Sequence, residues 1–206
     1  MGDVLTRQTR LTLEQFRAFL DERPEREKWE LIDGVPMMMA PPTLLHQRIS
    51  KNLETMLDNR LRVVRPEWMA DREIGILLPH DETFSPKPDV TVIETAIEIG
   101  QTYATRFYFV AEVLSECNRP ESHAGSDNPT PLAAKIAYYQ RHAPCAGILI
   151  VRQDRIAATL YRRDAGFRAT ELKNPADRLD IPSIGDIGSL ADLYRSTPLW
   201  PGTAPA

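Results

Sequence analysis

Cysteine is scarce in this sequence: only Cys117 and Cys145 occur among 206 residues, and they form no Cys-x-x-Cys pair. A disulfide framework and a zinc finger are both excluded. Long apolar runs are missing too. Nowhere do about 18 uncharged apolar residues follow one another, and the opening MGDVLTRQTR lacks the apolar stretch of a secretory leader. The expectation is a cytoplasmic protein with no membrane partner. Basic excess is likewise absent, because 25 Lys+Arg stand against 29 Asp+Glu for a net charge of −4. A surface that is cationic throughout is excluded, since phosphate binding is driven by local positive charge and counterion release, but a local basic groove stays open. No Gly/Ser-rich linker and no internal repeat divides the chain. One domain over residues 1–206 is expected, with a core over about 12–195 and a loose tail over 196–206.

What is present is an ordinary globular composition, 42% hydrophobic and 26% charged, enough to bury a sizeable core. The pattern reads as α/β. Thr12-Leu-Glu-Gln15 is a capping box opening a helix with Leu13, Phe16, Phe19 and Leu20 on one face. Trp29 to Ile32, Asp33-Gly34 and Val35 to Ala40 read as a hairpin, with Pro36 putting its second strand at an edge. Residues 44–61 carry apolar side chains at helical spacing. Residues 73–78, 89–94, 107–115, 147–152, 156–161 and 167–172 read as strands, the last two as a hairpin. Leu132 to His142 and Ile187 to Tyr194 read as helices.

Chemistry is suggested where polar groups interrupt apolar runs. Glu112 lies within Val110-Ala111-Glu112-Val113-Leu114. An ionised carboxylate in such a strand costs several kcal/mol unless it is paired, hydrogen-bonded or cation-bound. The alternative is that Glu112 lies on the solvent face of an edge strand. Lys135, in Ala133-Ala134-Lys135-Ile136-Ala137, either packs toward the sheet or snorkels to the surface. Asp89 opens a strand after Pro88. Two carboxylates on neighbouring strands suit a hard divalent cation, and an ammonium beside them suits a metal-bound hydroxide.

These residues come in a recognisable order. Trp29-Glu30-Leu31-Ile32-Asp33-Gly34, Met38-Met39-Ala40-Pro41-Pro42 with His46-Gln47-Arg48-Ile49, Pro88-Asp89-Val90, Ala111-Glu112-Val113-Leu114-Ser115, and Lys135 with Tyr138-Tyr139 resemble the successive signatures of the Uma family of putative restriction endonucleases, within the PD-(D/E)XK nuclease superfamily. The resemblance covers roughly residues 12–165. It implies a restriction-endonuclease-like core, a mixed sheet flanked by helices, and a DNA endonuclease using Mg²⁺ or Mn²⁺. It further implies Asp89, Glu112 and the Val113 carbonyl as metal ligands, Lys135 as the catalytic lysine, and Glu30 facing the same site. His46 matches a family position, and reads equally as a residue near a helix N-cap.

The sequence departs from the family pattern in places. Leu114 stands where the superfamily lysine usually does, Pro131 where an Asp one turn before Lys135 is usual, and Glu116-Cys117 where Pro follows the strand. Asp127 could replace that missing Asp from the loop. Two segments carry a local basic excess: Arg48, Lys51, Arg60, Arg62 and Arg65 against Glu54 and Asp58, and Arg152, Arg155, Arg162, Arg163, Arg168 and Lys173 against Asp154, Asp164 and Glu171. They would line a nucleic-acid approach or form solvated faces. Two other functions are open: a catalytically inactive nuclease-fold module binding nucleic acid or a protein, and a cysteine nucleophile at Cys117 served by His123 or His142. A homodimer would let two sites cut two strands.

Overall fold

The computed structural model describes residues 10–114 and 130–202. Its centre is a six-stranded mixed sheet. The elements are α1 (Leu13–Asp21), β1 (Trp29–Ile32), β2 (Val35–Met38), α2 (Leu44–Val64), β3 (Trp68–Asp71), β4 (Gly75–Ile76), β5 (Val90–Glu94), β6 (Tyr103–Ala104), β7 (Phe109–Leu114), α3 (Pro131–Arg141), β8 (Gly147–Arg152), β9 (Ala158–Arg162), β10 (Ala169–Leu172), β11 (Arg178–Ile181), β12 (Gly185–Ser189) and α4 (Leu190–Leu193). The sheet runs β10-β9-β8-β7-β5-β3, with β7 and β8 parallel and the other neighbours antiparallel. A parallel pair needs a crossover, and α3 lies within it.

Each face of the sheet has its own helix. On one, α2 presents Ile49, Leu53, Leu57 and Leu61 to Val90, Val92, Phe109, Ala111 and Val113. On the other, Tyr138 and Tyr139 of α3 cover Val110, Leu114, Ile148 and Ile150. This double cover explains why all six residues of β7 are buried. Glu112 therefore stands on an interior strand, and the reading that put it on the solvent side of an edge is overturned.

Local chemistry sets the ends. Thr12 and Gln15 form the expected capping box, and Asp33 and Gly34 take φ values of 52° and 76°, the doubly positive geometry of a tight hairpin turn. Pro131 occupies the first position of α3, with the Thr130 side chain accepting from the Ala133 amide at 3.2 Å. It starts the helix rather than disturbing it.

Four segments differ from expectation. The run 73–78 yields only the two-residue β4, paired with β6 outside the main sheet. Its neighbours Pro86 and Pro88 accept from Ile76 and Glu73 but have no N–H to return, so no regular ladder can propagate. The predicted helix over 187–194 is instead the end of β12 followed by a single turn, α4, which Ser189 and Asp192 cap. The edge strand β3 carried no clear sequence signal. Beyond α4, Thr197 is buried and Leu199 packs against the core, while Asn52 of α2 donates to the carbonyls of Leu193 and Arg195. The start of the tail is thus held against the α2 face.

Candidate active site

Five elements bring buried polar side chains to one end of β5 and β7. Glu30 comes from β1, Asp89 from the entrance to β5, Glu112 from β7, Lys135 and Tyr139 from α3, and His46 from the first turn of α2. Glu30, His46, Asp89, Glu112 and Lys135 are each less than a tenth exposed. Such a concentration of buried charge is uncommon and needs explicit pairing.

The pairing is explicit. Lys135 Nζ lies 2.9 Å from Glu30 Oε1 and 2.8 Å from Glu112 Oε1. Tyr139 Oη donates to the same Glu112 oxygen at 2.6 Å. Lys135 and Tyr139 are four residues apart, one above the other on the inner face of α3, which is why both reach one carboxylate. Glu30 Oε1 also accepts the Lys87 amide at 2.6 Å, tying the first hairpin to the chain just before Asp89. Asp89 is held at both oxygens: Oδ2 accepts the Val113 amide at 2.6 Å, and Oδ1 lies 3.1 Å from His46 Nε2. His46 Nδ1 is buried without a hydrogen-bond partner among the described residues.

The Pro88-Asp89 pair has a backbone rationale. Val90 pairs with Ala111 and Thr91 with Val110, so extending that register would set Val113 opposite Pro88. Proline has no N–H to give. The Val113 amide turns to the Asp89 side chain instead, and at this rung β5 offers no backbone N–H to the Val113 carbonyl.

One ammonium serves two carboxylates, Glu30 and Glu112, with the charge of Asp89 close by, and the proton affinities follow. Burial pushes the Glu112 carboxyl up to about 7, Lys135 opposes this, and the charges of Asp89 and Glu30 reinforce it. Lys135 is held protonated: burial would lower its pKa, but the charges of Glu112 and Glu30 outweigh that. Burial and the same carboxylates raise Tyr139 well above its ordinary value, so it remains a donor. For His46, burial lowers the pKa, while the hydrogen bond to Asp89 and the charges of Asp89, Glu112 and Glu73 more than offset it.

Asp89, Glu112 and the Val113 carbonyl offer oxygen alone, the donor type taken by a hard cation such as Mg²⁺, which commonly uses one or two protein carboxylates and keeps its other positions for water and phosphate. Among the described residues no group of three His, Cys, Asp or Glu side chains is placed to hold a metal ion. A cation here would be bound at an open site, and it would relieve the repulsion between Asp89 and Glu112.

Glu30, His46, Asp89, Glu112, Val113 and Lys135 fall in this cluster, and Lys135 points inward. Tyr139 stands in the sequence only as part of a motif; its role depends on a helix register that the sequence alone does not establish. Cys117, His123 and Asp127 lie outside the described residues. His142, the other partner of a cysteine nucleophile, accepts the Phe107 amide through Nε2 and stacks on the Phe107 ring. Cys145 is buried, with its thiol pushed up to about 12. The basic segments are largely structural: Arg60 and Arg65 bond carbonyls of the β11–β12 turn, Arg162 pairs with Asp164 and Asp180, and Arg163 bonds carbonyls of Gln140, His142 and Cys145. Among the described residues no helix is long and apolar enough to cross a membrane.

A family profile described as "Uma2: Putative restriction endonuclease" matches residues 13–188. Among solved structures, one titled a putative nuclease belonging to DUF820 from Anabaena variabilis is similar with a TM-score of 0.66, at 18% identity over 89% of this chain and 97% of that one. At that identity the likeness is one of fold. No curated protein matches the sequence.

Proposed function

Because the chain belongs to the Uma2 family of putative restriction endonucleases, we propose that it is a divalent-metal-dependent endonuclease that hydrolyses phosphodiester bonds of DNA. The observation carrying this reading is Glu112, a carboxylate buried on an interior strand, facing Lys135 and the charge of Asp89. A core selected for stability alone would not keep it there.

Asp89, Glu112 and the Val113 carbonyl would hold the ion, Mg²⁺ or Mn²⁺, which would supply Lewis-acid polarisation of the phosphate and a more acidic bound water. The protein's own groups do the rest. Tyr139 and Lys135 fix one oxygen of Glu112, and His46 and the Val113 amide fix Asp89, so both carboxylates are pre-positioned. The Lys135 ammonium would orient the attacking water and offset charge developing on the phosphate oxygens. Glu30 keeps that ammonium in place.

The test is cleavage of supercoiled plasmid with Mg²⁺ or Mn²⁺. Nicked and linear products that vanish in Asp89→Asn and in Lys135→Met, with both variants folded by circular dichroism, are expected. DNA retained in a gel shift without scission under either ion would instead assign a binding module of nuclease fold. Sedimentation of the protein on a short duplex tests the accompanying proposal of a homodimer acting on both strands.

A further inference from the structure

A cleft of about 190 Å³ opens beside the carboxylate cluster, on the α3 face of the sheet. Its floor is apolar: Leu114 and Ile150 from the sheet, Leu132 and Ile136 from α3. Ile150 is the cross-strand partner of Glu112, Leu114 is the next residue of β7 on the same face, and Leu132 and Ile136 flank Lys135 along α3. The cleft therefore neighbours the site on the same face of the sheet: its nearest lining residue, Ile150, stands one strand spacing, about 5 Å, from Glu112, although none of the site's own polar side chains lines it. Tyr161 supplies an aromatic wall, and Arg152, Thr159 and Glu171 stand at the polar rim.

Size and chemistry narrow the occupant. A cavity of this volume lies below the about 300–1,000 Å³ typical of sites for drug-sized ligands, so it suits one small planar group. Apolar floor, aromatic wall and a rim carrying both donors and acceptors are the features by which proteins hold a nucleobase that has left its stack. Thr159 and Glu171 bond each other at 3.1 Å, an arrangement that can be exchanged for bonds to a base edge. Arg155, also on the cleft, is more than half exposed and paired with Asp154 at the outer side, where a sugar-phosphate strand would leave.

We propose that this cleft receives one unstacked nucleobase from the strand whose phosphate lies at the Asp89–Glu112 site. The inference rests on the nuclease reading and adds a substrate feature to it: the nucleotide beside the reacting phosphate is unpaired or is flipped out on binding.

The experiment is fluorescence anisotropy with a fluorescein-labelled ten-nucleotide single strand, run in Ca²⁺, against the same sugar-phosphate chain made fully abasic. Base stacking at one aromatic platform predicts that the normal strand binds about 10-fold more tightly than the abasic one. Thr159→Phe fills the cleft from β9 with a residue that strands accept, and Tyr161→Ala removes its wall; both should bring the normal strand down to the abasic level with circular dichroism unchanged. Equal binding of both probes by the wild type, no binding of either, or a base preference that survives both variants would overturn the proposal. Plasmid cleavage separates the two readings: scission without base preference removes the cleft and leaves the nuclease, whereas base preference without scission does the reverse.

Discussion

Replacing Glu112 by glutamine should stabilise the protein at alkaline pH. The glutamine carbonyl can still accept from Tyr139, and Lys135 keeps Glu30, so what the substitution removes is the buried negative charge. The ordinary carboxyl value of 4.5 rises to about 7 in the folded chain. Below 4.5 both folded and unfolded states carry the proton and nothing is lost. Between 4.5 and about 7 the folded state holds a proton that the unfolded state has released, so stability falls as pH climbs. Above 7 the loss is complete, about 3 kcal/mol, because each tenfold change in proton affinity is worth about 1.4 kcal/mol. The glutamine variant has no proton to release and escapes this loss. Urea denaturation in EDTA at pH 5 and pH 8 should show near-equal stabilities at the lower value and a glutamine variant more stable by about 3 kcal/mol at the higher. For a chain of this length that corresponds to roughly 6–12 °C in melting temperature. A variant less stable than wild type at pH 8, or a difference that does not change with pH, would refute the account of Glu112 as a strained carboxylate kept for chemistry.

Other consequences can be checked as directly. Tyr139→Phe leaves one Glu112 oxygen short of a donor and should cost about 1–3 kcal/mol in denaturant melts, with plasmid cleavage falling as Glu112 loses its orientation. Asp58 of α2 accepts the Ala70 amide at 3.0 Å, blocking the outer edge of β3; Asp58→Ala should destabilise by a similar amount and increase self-association in light scattering. Native alkylation with iodoacetamide, mapped by mass spectrometry, should leave Cys145 unmodified until the protein is unfolded, because burial holds its thiol protonated.

Much of this architecture was legible because short-range chemistry specifies it. The Thr12 cap, the Asp33-Gly34 turn, the periodicity of α2 and the strand 147–152 all follow from neighbours within a few residues. The site residues were legible through polar groups set in apolar runs, read together with the ordered family motifs. What could not be read depends on distant partners. The run 73–78 is apolar and strand-like, yet it meets prolines that give it no ladder. The segment 187–194 has helical spacing, but pairing with β11 captures its first half. Whether Glu112 faced solvent or core turned on β7 lying between β5 and β8, which no local pattern encodes. Arginines counted as a basic approach are spent on carbonyls contributed by other parts of the chain.

Pro88 gives the site a particular fragility. The opening at the Val113 carbonyl exists because the register partner there has no hydrogen to donate. Almost any other residue at this position could extend the ladder by one rung, and by the ordinary measures of sheet regularity the result would be an improvement. The same rung would occupy the oxygen that the proposed metal reading assigns to the cation. On the proposed reading, activity is lost by a gain of order, and a relative without catalysis would be recognised by a more perfect sheet as readily as by a missing carboxylate.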